Sequence, residues 1–183
     1  MHSWRFGRKI GVRVIKLVLS DPHNYYKDRQ GHRINRIFFH RTAIRGDTAI
    51  GEGKYFASHN VGASAHYFID LAGNIVQSVP DHATAYAVAQ LDENFGSISI
   101  EFTGLNDTPL TQSQIKSAIS LIRGNAFLKS VQPNRLAISE ITPRIVSGYA
   151  NHADVTTAYS ISGGHTDKIS EAEIETILKG VAA

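Results

Sequence analysis

The chain contains no cysteine. That excludes disulfides, thiolate ligands for zinc and a cysteine nucleophile together, so any metal here must be held by histidine and carboxylate. There is also no uninterrupted apolar run of about 18 residues, the length a membrane-spanning helix needs. Internal repeats and low-complexity segments are absent too. What remains is 183 residues with 42% apolar side chains. These are the length and composition of one soluble globular domain with a real core.

Charge is unevenly distributed. Residues 1–45 hold eleven Lys/Arg against Asp21 and Asp28, whereas the remainder holds eight against fourteen acids, for a net charge of +3. The basic end either attracts an anionic polymer, such as a wall polymer, nucleic acid or acidic lipid, or is simply a solvated face. The opening "MHSWRFGRKIGVRVIKLVLSDPHN" has a short apolar run broken by Lys16 and no small-residue cleavage site. It is therefore expected not to act as a secretory signal. Residues 1–24 are read as a basic extension, with alternating Ile10, Val12 and Val14 as an edge strand, and 25–183 as the folded domain.

Further along, "RIFFH" (36–40) has the composition of a short buried strand and 48–60 that of a short helix weakened by Gly51 and Gly53. "SAHYFID" and "IVQSVP" flank a Gly-Asn turn and predict a hairpin. "SISIEF" (97–102) alternates as a strand does. Thr111 with Gln114 forms a capping box opening a helix whose buried stripe should be Ile115, Ile119, Ile122 and Ala126. Residues 144–152 read as a strand ending at a histidine. Ser170 with Glu173 caps a last helix. The interleaved strands and helices, with one hairpin, predict an α/β fold: a single domain with a central mixed sheet flanked by helices.

Nine histidines are too many to share one role. His2, His23 and His32 lie in the basic segment or a polar loop, and His59 and His82 in loop sequence. His66 alternates within a hairpin strand, as either a satisfied core histidine or a ligand. His40 and His152 stand at strand ends, where ligands gather in sheets with helical connections. His165 lies in "SGGHTDKIS", two residues before Asp167; in an extended segment both side chains leave one side of the backbone.

Two imidazoles and a carboxylate make a catalytic zinc set with one open position, although this donor set alone does not distinguish zinc from another divalent ion. Asp154 and Asp167 compete for the third place. Asp154 would require one strand end to supply two ligands, which favours Asp167. Glu101, ending its strand, is either a surface residue or the general base that hydrolysis requires.

In their order and spacing, "IFFHRTA", "SAHYFIDLAGNIVQSVPD", "SISIEFTG", "GYANHADVT" and "GGHTD" resemble the zinc-dependent N-acetylmuramoyl-L-alanine amidases of type 2. Phage lytic amidases and peptidoglycan recognition proteins belong to that family. The resemblance spans about residues 37–167. It implies a zinc site at strand ends, with His40, His152 and Asp167 as ligands, Glu101 assisting the attacking water and His165 in place of the lysine that many relatives use for the oxyanion. Tyr86, in "ATAYAVA", matches the aromatic of the substrate groove, though plain core packing is the alternative. Ala87 replaces the groove histidine, and "DKI" replaces the usual Asp-Pro-Gly after the third ligand.

The implied activity is cleavage of the amide between the muramic acid lactyl group and L-alanine of the stem peptide, as in a phage endolysin. A bacterial autolysin or recycling amidase is a close variant. Such an enzyme would act at the cell wall as a monomer, made in the cytoplasm and released by another route, with the basic end on anionic wall polymer. The alternative is a non-catalytic peptidoglycan-binding module on the same fold, but relatives of that kind typically lose the third ligand, which Asp167 retains. A nucleic-acid or membrane contact by the basic end is not expected, because no aromatics interleave with its charge in a recognisable motif.

Overall fold

The computed structural model describes residues 9–10, 13–142 and 146–183. The first half runs β1 (Lys9–Ile10), β2 (Arg13–Leu17), β3 (Tyr25–Tyr26), β4 (Arg36–Arg41), α1 (Ala49–Ser58), β5 (Tyr67–Ile69), β6 (Ile75–Gln77) and β7 (Thr84–Ala85). The second half runs α2 (Leu91–Phe95), β8 (Ser97–Phe102), α3 (Gln112–Gly124), α4 (Ile138–Ile141), β9 (Gly148–Asn151), α5 (His152–Ala158) and α6 (Glu171–Ala182). Seven strands form one mixed sheet in the order β1-β2-β6-β5-β8-β4-β9, and β3 pairs with β7. Strands β4, β5, β8 and β9 are mutually parallel, and β6 reverses as the second arm of the expected hairpin.

Side chains alternate across a strand, so each strand divides its residues between two faces. Ile37 and Phe39 of β4, Tyr67 and Ile69 of β5, and Ile98, Ile100 and Phe102 of β8 form one cluster. Helices α3 and α6 cover it with Ile115, Ala118, Leu121 and Ile122 and with Ile174, Ile177 and Leu178. The other face carries Phe68 and Val76, covered by Ala49 of α1. Both predicted capping boxes are present, Thr111 with Gln114 and Ser170 with Glu173. The expected stripe of α3 needs correction. The helix ends at Gly124, leaving Ala126 exposed, and Ala118 and Leu121 are buried instead. A 3.6-residue period continued past the helix end selects the wrong residue.

Two further segments bear on the expectations. Residues 143–145 and 1–8, with Gly11 and Val12, lie outside the described residues. The strand expected over 144–152 is observed as Gly148–Asn151, and a helix begins at His152. The segment read as an N-terminal extension contributes β2, which runs parallel to β6 with Ile15 opposite Ile75.

At the N-terminal end of β4, Arg36 and Glu93 form a buried ion pair of 2.5 Å, each side chain 1% exposed. Tyr159 donates to Glu93 (2.8 Å), and Arg36 donates to the Glu140 carbonyl (3.2 Å). Breaking such a pair from one side strands a buried charge. Glu93→Ala is expected to cost about 3–5 kcal/mol in urea unfolding, and the double replacement Arg36→Met with Glu93→Leu far less. A single-mutant loss below about 1 kcal/mol, the range of an exposed pair, would refute this reading.

Candidate metal centre and groove

Register places Val76, Phe68, Glu101 and His40 in one transverse row across β6, β5, β8 and β4. Directly paired residues share a face, so the row passes from apolar side chains under α1 to a carboxylate and an imidazole. It lies near the C-terminal ends of the parallel strands, where α/β sheets present ligands.

His40 is 1% exposed. Its Nδ1 lies 3.2 Å from Nδ1 of His152 and 3.5 Å from Oδ2 of Asp167. His152 Nδ1 is 2.9 Å from Oδ1 of Asp167, and the Arg41 backbone N–H donates to Oδ2 at 3.2 Å. One donor atom from each of His40, His152 and Asp167 falls within 4.8 Å of the others, so the three could hold a metal ion. Two imidazole nitrogens on a tetrahedral zinc, each about 2.0–2.1 Å from it, stand about 3.3 Å apart. The observed separation of the two histidines therefore fits that ion.

Burial lowers the pKa of His40, against the opposing pull of the Asp167 carboxylate; the neighbouring histidines lower it further. Burial alone would raise Asp167, but hydrogen bonds and charge from His152 and His40 hold its carboxyl well below the usual range. His40 Nε2 is buried and has no hydrogen-bond partner.

The segment carrying Asp167 is fixed by Asn151. The Asn151 side chain donates to the Ile169 carbonyl and accepts from the Ile169 N–H, both at 3.1 Å. The Ala153 N–H adds a bond to the Asp167 carbonyl (3.3 Å). Ahead of it, Gly163 has φ +69°, and a Cβ on Gly164 would meet Thr156 Cγ2 at 2.6 Å. The two glycines thus let the loop turn tightly against α5. Asp154 points elsewhere: its Oδ2 accepts from the Asn151 N–H (2.7 Å) and from Arg135 (2.9 Å). Geometry therefore brings Asp167, not Asp154, to the two histidines. Asn151 was missed at the sequence level, where its only signal is an asparagine directly before a candidate ligand.

Glu101 Oε1 lies 3.9 Å from His40 Nδ1, and Oε2 is buried without a partner. Burial, followed by the charges of Asp167, Glu52 and Asp47, pushes its pKa well up. His165 is 79% exposed, with its ring stacked 5.2 Å from that of His152. Both face a groove of about 600 Å³ with Glu52, Tyr55 and Phe56 of α1 in its wall. Tyr86 also lines the groove, and its ring meets that of Tyr26 edge-on at 5.3 Å.

His66 is a core histidine. Its Nδ1 accepts from the Ser99 N–H (3.1 Å), and Nε2 faces the Ala83 carbonyl (3.2 Å) and Arg29 (2.9 Å). Burial and the Arg29 guanidinium keep its pKa well below the ordinary value.

The family model for N-acetylmuramoyl-L-alanine amidase matches residues 30–170. The chain belongs to this family, the type 2 amidases. Among solved structures it resembles the Staphylococcus aureus hydrolase AmiA, with TM-score 0.65 and 18% identity over 91% of this chain and 82% of that one. It also resembles a mutant endolysin from Bacillus subtilis, with TM-score 0.59 and 15% identity over 93% and 99% of the two chains. A third is the endolysin amidase LysCS from Clostridium intestinale, with TM-score 0.55 and 18% identity over 90% and 95%. At these identities the likeness is one of fold. No curated protein sequence matches the chain.

Zinc titration followed by calorimetry checks the ligand set. His40→Ala or Asp167→Ala is expected to weaken zinc by more than the roughly 10–100-fold that loss of an outer partner produces. Asp154→Ala is expected to keep the metal while losing about 1 kcal/mol of stability with its capping bond. Loss of zinc in Asp154→Ala alone would reverse the assignment.

Proposed function

We propose that this chain is a zinc-dependent peptidoglycan hydrolase that cleaves the amide between the muramic acid lactyl group and L-alanine of the stem peptide. One observation carries the reading: a buried His40–His152–Asp167 set opens onto a groove beside a carboxylate with a free oxygen. It occurs in a chain of the N-acetylmuramoyl-L-alanine amidase family. A module that only bound peptidoglycan would need neither the complete donor set nor that carboxylate.

Bound through His40, His152 and Asp167, zinc would lower the pKa of a water in its open position and polarise the scissile carbonyl. Glu101 takes the proton of the attacking water. Its raised pKa suits it to keep that proton and deliver it to the departing L-alanine nitrogen. His165, exposed on the groove side of His152, donates an N–H to the oxyanion as the carbonyl becomes tetrahedral. Tyr86 offers an aromatic wall to sugar or peptide.

Two of the similar structures are endolysins, which supports a lytic role at the bacterial cell wall after release by another route. Arg29, Arg36 and Arg41 are buried, but the exposed cations of residues 1–45, Lys16, Lys27, Arg33 and Arg45 among them, would attract anionic wall polymer there.

The first test is release of new L-alanine amino termini from purified peptidoglycan. Metal-loaded protein is expected to release them, stripped protein not to, and added zinc to restore the activity. Glu101→Gln should lower kcat by about 10²–10⁴-fold. His165→Ala should cost less than the roughly 10²–10³-fold of a sequestered oxyanion donor, because solvent reaches its ring. Activity that survives complete metal removal, or no release by loaded protein across several wall types, would refute the proposal.

A further inference from the structure

The wall of the groove opposite the metal ligands is one face of α1. Glu52, Tyr55 and Phe56 are spaced i, i+3 and i+4, which places them side by side on a helix, and all three line the groove. Phe56 is committed to the fold, its ring stacked on Phe68 at 5.5 Å. Tyr55 stacks on His59 at 4.6 Å and remains 46% exposed.

Glu52 is different. It is half-buried, and no hydrogen bond or ion pair to its carboxylate occurs among the described residues. Its charged neighbours worsen its position. Burial and then the charge of Asp47 raise its pKa, and Glu52 in turn adds to the rise that burial and Asp167 impose on Glu101. Arg41 lines the same groove, but its Nη2 is held by the Leu105 and Thr108 carbonyls and the Thr108 hydroxyl, and no ion pair joins it to Glu52 among the described residues. A carboxylate partly withdrawn from water without a partner is a ready acceptor for a cation that enters the groove.

We infer that Glu52 is a specificity-determining residue that binds a primary ammonium on the side chain of the stem peptide. This rests on the amidase reading above, since it places the stem peptide in the groove. Glu52 supplies the charge-assisted hydrogen bond. The Tyr55 ring on the same helix face supplies a flat apolar wall, and a cation–π contact, to the methylenes and ammonium of a long amino-bearing side chain. The opposite preference, for an anionic side chain, would set like charges together on this wall.

The test uses three synthetic muramoyl tripeptides that differ only in the third residue: lysine, Nε-acetyl-lysine or norleucine. For zinc-loaded native protein the kcat/KM for the lysine compound is expected to exceed the other two by about tenfold, the worth of one hydrogen bond to a charged group. In Glu52→Gln, which keeps the shape of the side chain, that ratio should fall to about one, with an unchanged thermal melt. Equal treatment of the three compounds by native protein would overturn the inference, as would a preference that survives Glu52→Gln. If none is cleaved, the amidase reading fails, and calorimetric binding of the same three compounds judges Glu52 separately. A lysine preference in affinity that Glu52→Gln abolishes supports the assignment; equal affinities, or no binding, overturn it.

Discussion

The carboxylate of Asp167 joins three parts of the chain that are distant in sequence. It accepts from the backbone of Arg41 at the end of β4, faces the His40 imidazole from the same strand, and lies 2.9 Å from His152 at the start of α5. It is a buried anion, and a buried anion persists only with compensating positive charge or donors. One backbone N–H and two imidazoles provide part of this. A divalent cation between the two ring nitrogens would satisfy all three side chains at once, which is why their mutual spacing carries more weight than their identities.

His40 was legible as a histidine ending a short buried strand, and Glu101 as a carboxylate ending one that alternates, because strand ends are where ligands gather. Pairing register, which the sequence does not display, then set them opposite one another in the row. The choice between Asp154 and Asp167 was less legible, for a geometrical reason. Each lies two residues from a histidine. In an extended segment residues i and i+2 share a side, whereas in a helix they diverge by about 200°. Because α5 starts at His152 itself, Asp154 turns away to cap the helix and meet Arg135. Nothing in "GYANHADVT" states that the strand ends one residue before His152. The same limit explains Ala126, where a correct periodicity ran past an end set by tertiary packing.

The second-level supports were hidden for a different reason. Asn151 acts through both ends of its amide on the backbone of Ile169, eighteen positions along. Such a clamp leaves no periodic or motif-like trace, since any short polar residue before a helix reads first as a cap. Its consequence is positional: it holds the loop after "GGHT" against β9, beside the carboxylate of Asp167. This bears on the departure at "DKI", where the chain lacks the proline and glycine usual in the sequences it resembles. In their place, the backbone two residues after Asp167 is tied by a side chain from the neighbouring strand.

Glu101 stands at the junction of the two halves of the transverse row, with Phe68 on one side and His40 on the other. The apolar half withdraws its carboxyl from water, and the acids around it oppose its ionisation; both raise its affinity for a proton. A cation held by the neighbouring ligands would act in the opposite sense. A group that must first take a proton and then release it works best when neither influence dominates. One strand position, between an apolar neighbour and a residue that could hold a metal, would impose both. The sheet register therefore does more than place Glu101 within reach of the site: it sets the opposing fields under which that carboxyl would exchange its proton.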